Sequence, residues 1–322
     1  VIPISTLRFA LRTSNSYLID LLVHSRGQRD FTDALILAAM VQSNSATLAG
    51  DVALQQRYGV FEAPPPASVR RPISISAVSA SLGLPFETVR RRMKRLVAAG
   101  VCDHSPDGVR YSDAMLASPE HLCILEAHYK LTRAFYGRLR RAGGIELFSP
   151  PQAPAWADDR PPLRVVYRLA NDYFLRMMEH LIPQFPNLSR AFIVLAVVRL
   201  NTAGFPDTLR GGDGLDPRDY IPDSYRKPAR ASAVASELGL PGETVRRNLM
   251  ALVEDGRCRK LPGGYIVPAE VLARANVITA WDANLRDLAR LFGDLAETGV
   301  LALWDAELDH HTRPHLKSPR GS

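Results

Sequence analysis

Cysteine is scarce, with three in 322 residues. That leaves no disulfide framework for a chain of this length and points to a reducing compartment. Long apolar runs are missing as well. The longest, Ala34–Val41 and Ala191–Val198, fall far short of the roughly 20 residues a membrane-spanning helix needs. No signal-peptide pattern stands at the start, where the chain opens at Val1 rather than Met. The expected setting is cytoplasmic. Catalytic signatures are absent too: there is no P-loop, no Gly-x-Gly-x-x-Gly after a strand, no Gly-x-Ser-x-Gly and no His-Glu-x-x-His. The chain therefore reads as a non-enzyme with no cofactor. His310, His311 and His315 fall in the expected polar tail, without acidic or thiol partners held at fixed geometry, so no metal site is expected. His24, His104, His121, His128 and His180 are scattered and read as surface or helix-packing residues. Lysine is rare, 5 against 35 arginines, a bias that goes with a GC-rich genome.

What is present is a repeat. Leu82-Gly-Leu-Pro-Phe-Glu-Thr-Val-Arg-Arg91 returns as Leu238-Gly-Leu-Pro-Gly-Glu-Thr-Val-Arg-Arg247, at an offset of 238 − 82 = 156 residues. Over 82–100 and 238–256, 12 of 19 positions are identical without a gap, which makes two copies of one unit the basis of the architecture. The composition, 46% apolar and 23% charged, is that of a folded globular protein. The expected layout is a first domain over 1–148, a Pro-rich connector over 149–162, a second domain over 163–309 and a polar tail over 310–322.

The net charge is +7 and the pI about 9.5, which favours a polyanionic partner. Residues 1–150 hold 18 Lys+Arg against 12 Asp+Glu, leaving 22 against 21 for the rest. Both repeated segments are nevertheless basic, with 8 cationic against 3 acidic residues over 70–110 and 8 against 4 over 226–266. Charge is concentrated on the motif.

Each half shows the same order of elements. Helical periodicity predicts helices over Thr6–Val23 and Phe31–Gln42, matched by Leu163–Leu181 and Leu188–Leu200. Long irregular stretches come next, Ser43–Val69 and Asn201–Tyr225, of a length that is often functional or mobile. After each motif, Pro119–Ala142 and Pro268–Thr298 read as long amphipathic helices.

Within the motif, Ile75, Val78 and Leu82 share a helical face and Gly83 supplies a positive-φ stop. Pro85 opens a second helix with Glu87 in its first turn. Its apolar stripe is Val89, Met93, Leu96 and Val97, so Arg91 points outward, flanked by Glu87, Thr88, Lys94 and Arg95. The second copy presents Glu243, Thr244, Arg247, Met250 and Ala251. Such a face suits duplex DNA: Arg pairs with guanine O6 and N7, a carboxylate accepts from cytosine N4, and Thr serves a base edge or a phosphate. Arg91 and Arg247 are the expected base readers, with Arg90, Arg92, Arg95 and Arg246 on phosphates. Cys102–Tyr111 and Cys258–Val267 read as hairpins, whose Arg110, Arg257, Arg259 and Lys260 would touch the backbone. Cys102 and Cys258 are expected to be buried where the strands begin.

Helix, turn, helix and hairpin in this order resemble the winged helix-turn-helix of bacterial transcription regulators. The phrase Leu-Gly-Leu-Pro-x-x-Thr-Val-x-Arg is similar to the corresponding stretch of IclR-type and GntR-type regulators, and the long flanking helices are similar to those of MarR-type regulators. The resemblance covers about 40 residues per half, and this chain differs in carrying two units and a long loop ahead of each. It implies a mainly α fold of two tandem winged helix-turn-helix domains with short β-hairpin wings, acting as a nucleoid-associated, sequence-specific regulator on double-stranded DNA. A tandem winged-helix replication initiator or a protein–protein assembly scaffold is the alternative. The copies differ at Arg92/Asn248, Lys94/Met250 and Arg95/Ala251, so a single-chain pseudo-dimer reading two unlike half-sites is expected. Tyr17, Tyr129, Tyr136, Tyr173 and Trp281 on the flanking helices are candidates to line a pocket for a small-molecule effector.

Overall fold

The structure, a computed structural model, describes residues 4–27, 29–148, 150–205 and 221–312, with side chains described for 6–309 of these. The fold is mainly helical, 66% helix with two small two-stranded sheets. The first half runs α1 (Ile4–Arg26), α2 (Phe31–Asn44), α3 (Val52–Arg57), α4 (Ile75–Leu82), α5 (Phe86–Ala98), β1 (Cys102–Ser105), β2 (Gly108–Tyr111), α6 (Asp113–Leu116) and α7 (Pro119–Arg141). The second half repeats it as α8 (Leu163–Leu181), α9 (Leu188–Thr202), α10 (Ala231–Leu238), α11 (Gly242–Glu254), β3 (Arg259–Leu261), β4 (Gly264–Ile266), α12 (Ala269–Leu272) and α13 (Ala275–Glu297). A further helix, α14 (Val300–Thr312), stands where the first half has only a three-residue 3-10 turn, Ile145–Leu147. The tail beyond it, 313–322, and residues 206–220 of the second loop lie outside the described residues.

The halves are interleaved. Helix α1 packs on α9 of the other half, and α8 packs on α2 and α7. Matching side chains make matching bonds across: Asn15 Nδ2 donates to the Leu195 carbonyl at 3.0 Å, and Asn171 Nδ2 to that of Ala38 at 2.9 Å. Tyr17 and its own counterpart Tyr173 stack with ring centroids 5.8 Å apart. A residue that touches its own copy sits on a two-fold axis, so these rings mark a pseudo-two-fold inside one chain. The crossing continues at the helix ends. Arg26 donates to the Gly239 carbonyl at 2.9 Å, while Ile182, at the matching position, lies 4.0 Å from where a Cβ on Gly83 would stand.

Several expectations change. The stretch Ser43–Val69 is not irregular throughout, since it contains α3, capped by the Asp51 carboxylate. Two arginines of α8 fix the chain around and beyond the end of α3. Arg164 donates to the Val60, Phe61 and Leu116 carbonyls, and Arg168 to those of Tyr58 and Gln55, at 2.8 to 3.1 Å. Burial pushes these guanidiniums down to about 10 and about 9, still charged at neutral pH. The first-half residue that matches Arg168, Arg12, reaches the Phe205 carbonyl at 3.3 Å. The connector is likewise packed: Trp156 is buried, its backbone N–H bonds the Gly299 carbonyl at 3.0 Å, and Gly299 (φ 85°) leaves no room for a side chain, since a Cβ would lie 2.6 Å from the Pro154 carbonyl oxygen.

The expected helix Pro268–Thr298 is two helices, α12 and α13. In the first half the same break is signalled by Ser118, which caps α7, whereas Arg274 occupies that position in the second half and carries no cap. The aromatic residues proposed for a pocket are mostly core. Tyr17 OH bonds Thr132, Tyr173 OH bonds Asn284, Tyr136 OH bonds Asp305 and Tyr129 receives the indole N–H of the fully buried Trp304. No single helix among the described residues is long and apolar enough to cross a membrane.

Candidate nucleic-acid interface

The local chemistry that builds each motif is duplicated. Ser74 accepts from the Ala77 N–H to start α4, Val78 and Leu82 are buried, and Gly83 ends it in the left-handed region at φ 60°. Gly239, at φ 57°, ends α10 in the same way. The next helix begins after proline in both copies and buries one stripe, Val89, Met93 and Leu96 in α5, and Val245, Leu249 and Leu252 in α11. The hairpin after it is fastened back to the segment before the first helix. Ile73 pairs with Val109, and Ala229 with Tyr265, through two backbone hydrogen bonds each. That approach is why Gly108 and Gly264 are glycines: a Cβ would stand 2.5 Å from the Ile73 oxygen and 2.3 Å from the Ala229 oxygen.

A pair of residues that sequence reasoning missed completes the clamp. Asn44, ending α2, donates to the Arg71 carbonyl at 2.8 Å and accepts from the Tyr111 N–H at 2.9 Å. Asn201 donates to the Lys227 and Tyr265 carbonyls and accepts from the Val267 N–H. The signal was the recurrence of a helix-ending Asn in both halves, at an offset of 157 rather than 156.

The outward face of α5 carries Phe86, Glu87, Arg91, Lys94 and Arg95, all exposed, with Thr88 half-buried. Arg91 has no hydrogen bond or ion pair among the described residues, and neither has Arg247 on α11. Glu87 and Arg90 form an i,i+3 clasp at 2.6 Å, repeated by Glu243 and Arg246 at 2.7 Å. In each clasp the arginine holds the carboxyl below the usual range and the carboxylate raises the arginine. Thr244 is half-buried, and its carbonyl accepts from Asn248 at 2.8 Å.

Other expected contacts are turned inward. Arg92 is bonded to Asp30 and, at 2.8 Å, to Asp33 on the first turn of α2, with its side chain 17% exposed. It therefore faces the core side of α5 rather than a phosphate. The difference between Arg92 and Asn248 has the same origin. Arg190 stands on α9 where Asp33 stands on α2, and it pairs with Asp255 at 2.8 Å. A cation at 248 would meet Arg190 rather than a carboxylate, so this divergence reflects internal charge matching and carries no half-site information. Arg95 remains largely exposed, 3.7 Å from Asp33.

The hairpins are unlike. Around the first, Asp103, His104 and Asp107 are exposed, while Arg110 is half-buried and reaches back to the Ala67 carbonyl at 3.5 Å. Its surface is acidic and does not suit phosphates. At the second, Lys260 is exposed and Arg259 is shared between Asp223 and Glu270 at 3.0 and 3.1 Å. Arg257 is withdrawn, donating to the Gln184 carbonyl at 2.8 Å and lying 4.6 Å over the Phe185 ring. Cys102 and Cys258 are buried as expected, and burial pushes both thiols up to about 12.

Among the described residues of the two motifs, the exposed cations without a close carboxylate are thus distributed unequally, on the helix of the first copy (Arg91, Lys94), with Arg95 exposed but within reach of Asp33, and on helix and hairpin of the second (Arg247, Lys260). Compared with known proteins, the chain matches no family model, no curated protein and no solved structure.

Proposed function

We propose that the chain is a non-enzymatic, sequence-specific DNA-binding transcription regulator of the nucleoid, built as two tandem winged helix-turn-helix units with α5 and α11 as recognition helices. One observation carries this reading. Arg91 and Arg247, at the same outward position of both copies, are exposed and unpaired, while the adjacent arginines are neutralised by Glu87, Asp30, Asp33 and Glu243. A solvated face with no ligand has no reason to keep an unpaired Arg at one point of two diverged copies and pair its neighbours. An Arg there can donate twice to guanine O6 and N7, while Lys94, Arg95 and Lys260 meet phosphates.

The test begins with selection of a duplex from a random library by the full chain. Arg91→Ala and Arg247→Ala should each cost about 1–3 kcal/mol and relax one position of the site. With about five phosphates neutralised, a fourfold rise in salt should lower affinity by roughly a hundred- to a thousandfold. Unchanged selectivity in both variants would remove α5 and α11 as readers. The exposed Phe86 and Met250, 46% and 48% accessible on the same faces, suit the second reading, a replication initiator or assembly scaffold with a protein partner. Salt-insensitive binding to protein, without DNA affinity, selects that reading.

A further inference from the structure

One divergence between the recognition helices has no reason inside the fold. Arg92 and Asn248 differ because Asp33 and Arg190 differ, but Lys94 and Met250 face solvent from matching positions of α5 and α11. Met250 is 48% accessible, one of four large apolar residues left exposed among the described residues.

Its placement is specific. Residues 247 and 250 stand one turn apart, with Cβ atoms about 5–6 Å from each other, and helical side chains lean toward the N-terminus. Met250 therefore covers the turn that carries the arginines. Its sulfur lies 3.7 Å from Arg246 Nη1, and Arg246 is itself held by Glu243 at 2.7 Å. The thioether thus rests on a tethered neighbour, one turn from the exposed Arg247. It forms a point rather than a patch, since the neighbours Arg246, Arg247 and Glu254 are charged and exposed. Phe86, the exposed apolar residue of α5, matches Gly242 and not Met250. A protein partner seated on both copies would need apolar groups at a shared position. In the major groove of duplex DNA, the apolar group on a base edge is the pyrimidine C5-methyl.

We infer that Met250 reads a pyrimidine C5-methyl group in the base pair next to the guanine that Arg247 contacts, and that Lys94 denies the first copy this preference. The inference rests on the DNA reading above. Neighbouring base pairs are stacked about 3.4 Å apart, within reach of two side chains one turn apart. The methyl displaces water from the thioether, a soft group that adapts to apolar contact, whereas the strongly hydrated ammonium of Lys94 gains little from it. Thymine and 5-methylcytosine carry the same methyl, so either satisfies the position. The two half-sites then differ in a feature that fixes the direction in which the chain lies on the duplex.

The full chain first selects its duplex from a random library, and Arg247→Ala, by relaxing one position, marks the guanine of the second half-site. In the base pairs flanking it, on either strand, thymine is replaced by uracil or cytosine by 5-methylcytosine, which removes or adds the methyl alone. One such exchange should change affinity about fourfold, the worth of one buried methyl-sized group, and the same exchanges beside the guanine marked by Arg91→Ala should change it less than about 1.5-fold. Met250→Ala should abolish the difference by weakening the methylated duplex only, and Lys94→Met should create one in the first half-site. A methyl preference kept in full by Met250→Ala, or no preference beside the Arg247 guanine, overturns the inference and leaves the DNA reading standing. Unchanged selectivity in Arg247→Ala overturns α11 as a reader, and the inference falls with it.

Discussion

Arg91 and Arg92 are adjacent and chemically identical, and their environments give them opposite roles. Arg92 is held between two carboxylates at the start of α2, so Arg92→Ala should lower stability by about 1–2 kcal/mol and leave the ranking of DNA sequences unchanged. Chemical denaturation alongside DNA binding by the refolded variant checks both halves of that statement. The histidines make a second case. Burial holds His128 down to about 4 and His121 down to about 3, the latter helped by Arg164. Both are neutral in the fold, whereas the unfolded chain takes up protons below about pH 6.5. Their contribution is therefore full above that pH and shrinks as pH falls towards 4 and then 3, each losing up to about 1.4 kcal/mol per pH unit. His128→Asn, the residue of the second half at that position, should flatten this acid limb. A thermal midpoint that falls equally steeply from pH 6.5 to 4.5 in both proteins would locate the acid sensitivity elsewhere.

At the scale of elements, the helices were legible where periodicity and punctuation agreed. Leu163–Leu181 was read to the residue, and Gly83, Pro85 and Gly100 set the motif boundaries to within one or two positions. What stayed hidden depended on partners distant in sequence. Nothing local says that Arg92 faces inward, because Asp30 and Asp33 lie about 60 residues earlier. The break before α13 was invisible because Arg274 gives no capping signal. The segment around Tyr58–Phe61 looked like free loop because the arginines that fix it belong to the other half. Arg164→Met keeps the apolar stem and removes the fork, so it should cost about 2–4 kcal/mol and expose this segment. Hydrogen exchange or limited proteolysis should show faster opening at 58–62, with α4 and α5 still protected.

For the whole molecule, the interleaving of α1 with α9 and of α8 with α2 and α7 means that the repeat boundary is not a folding boundary. A nick introduced in the connector near Pro154 should leave the two fragments associated and melting together. Residues 1–148 produced alone should lack a cooperative transition, and adding the separately produced second fragment should restore it; a stable, monomeric first fragment would refute the interdependence. The same crossing bears on how the chain is made. A ribosome delivers the first half before α8 exists, so the faces of α2 and α7 that α8 covers emerge bare and must wait while the connector and Leu163–Leu181 clear the exit tunnel. Translation speed across this stretch, and chaperones able to hold a half-built core, thereby become part of what determines the yield of native protein.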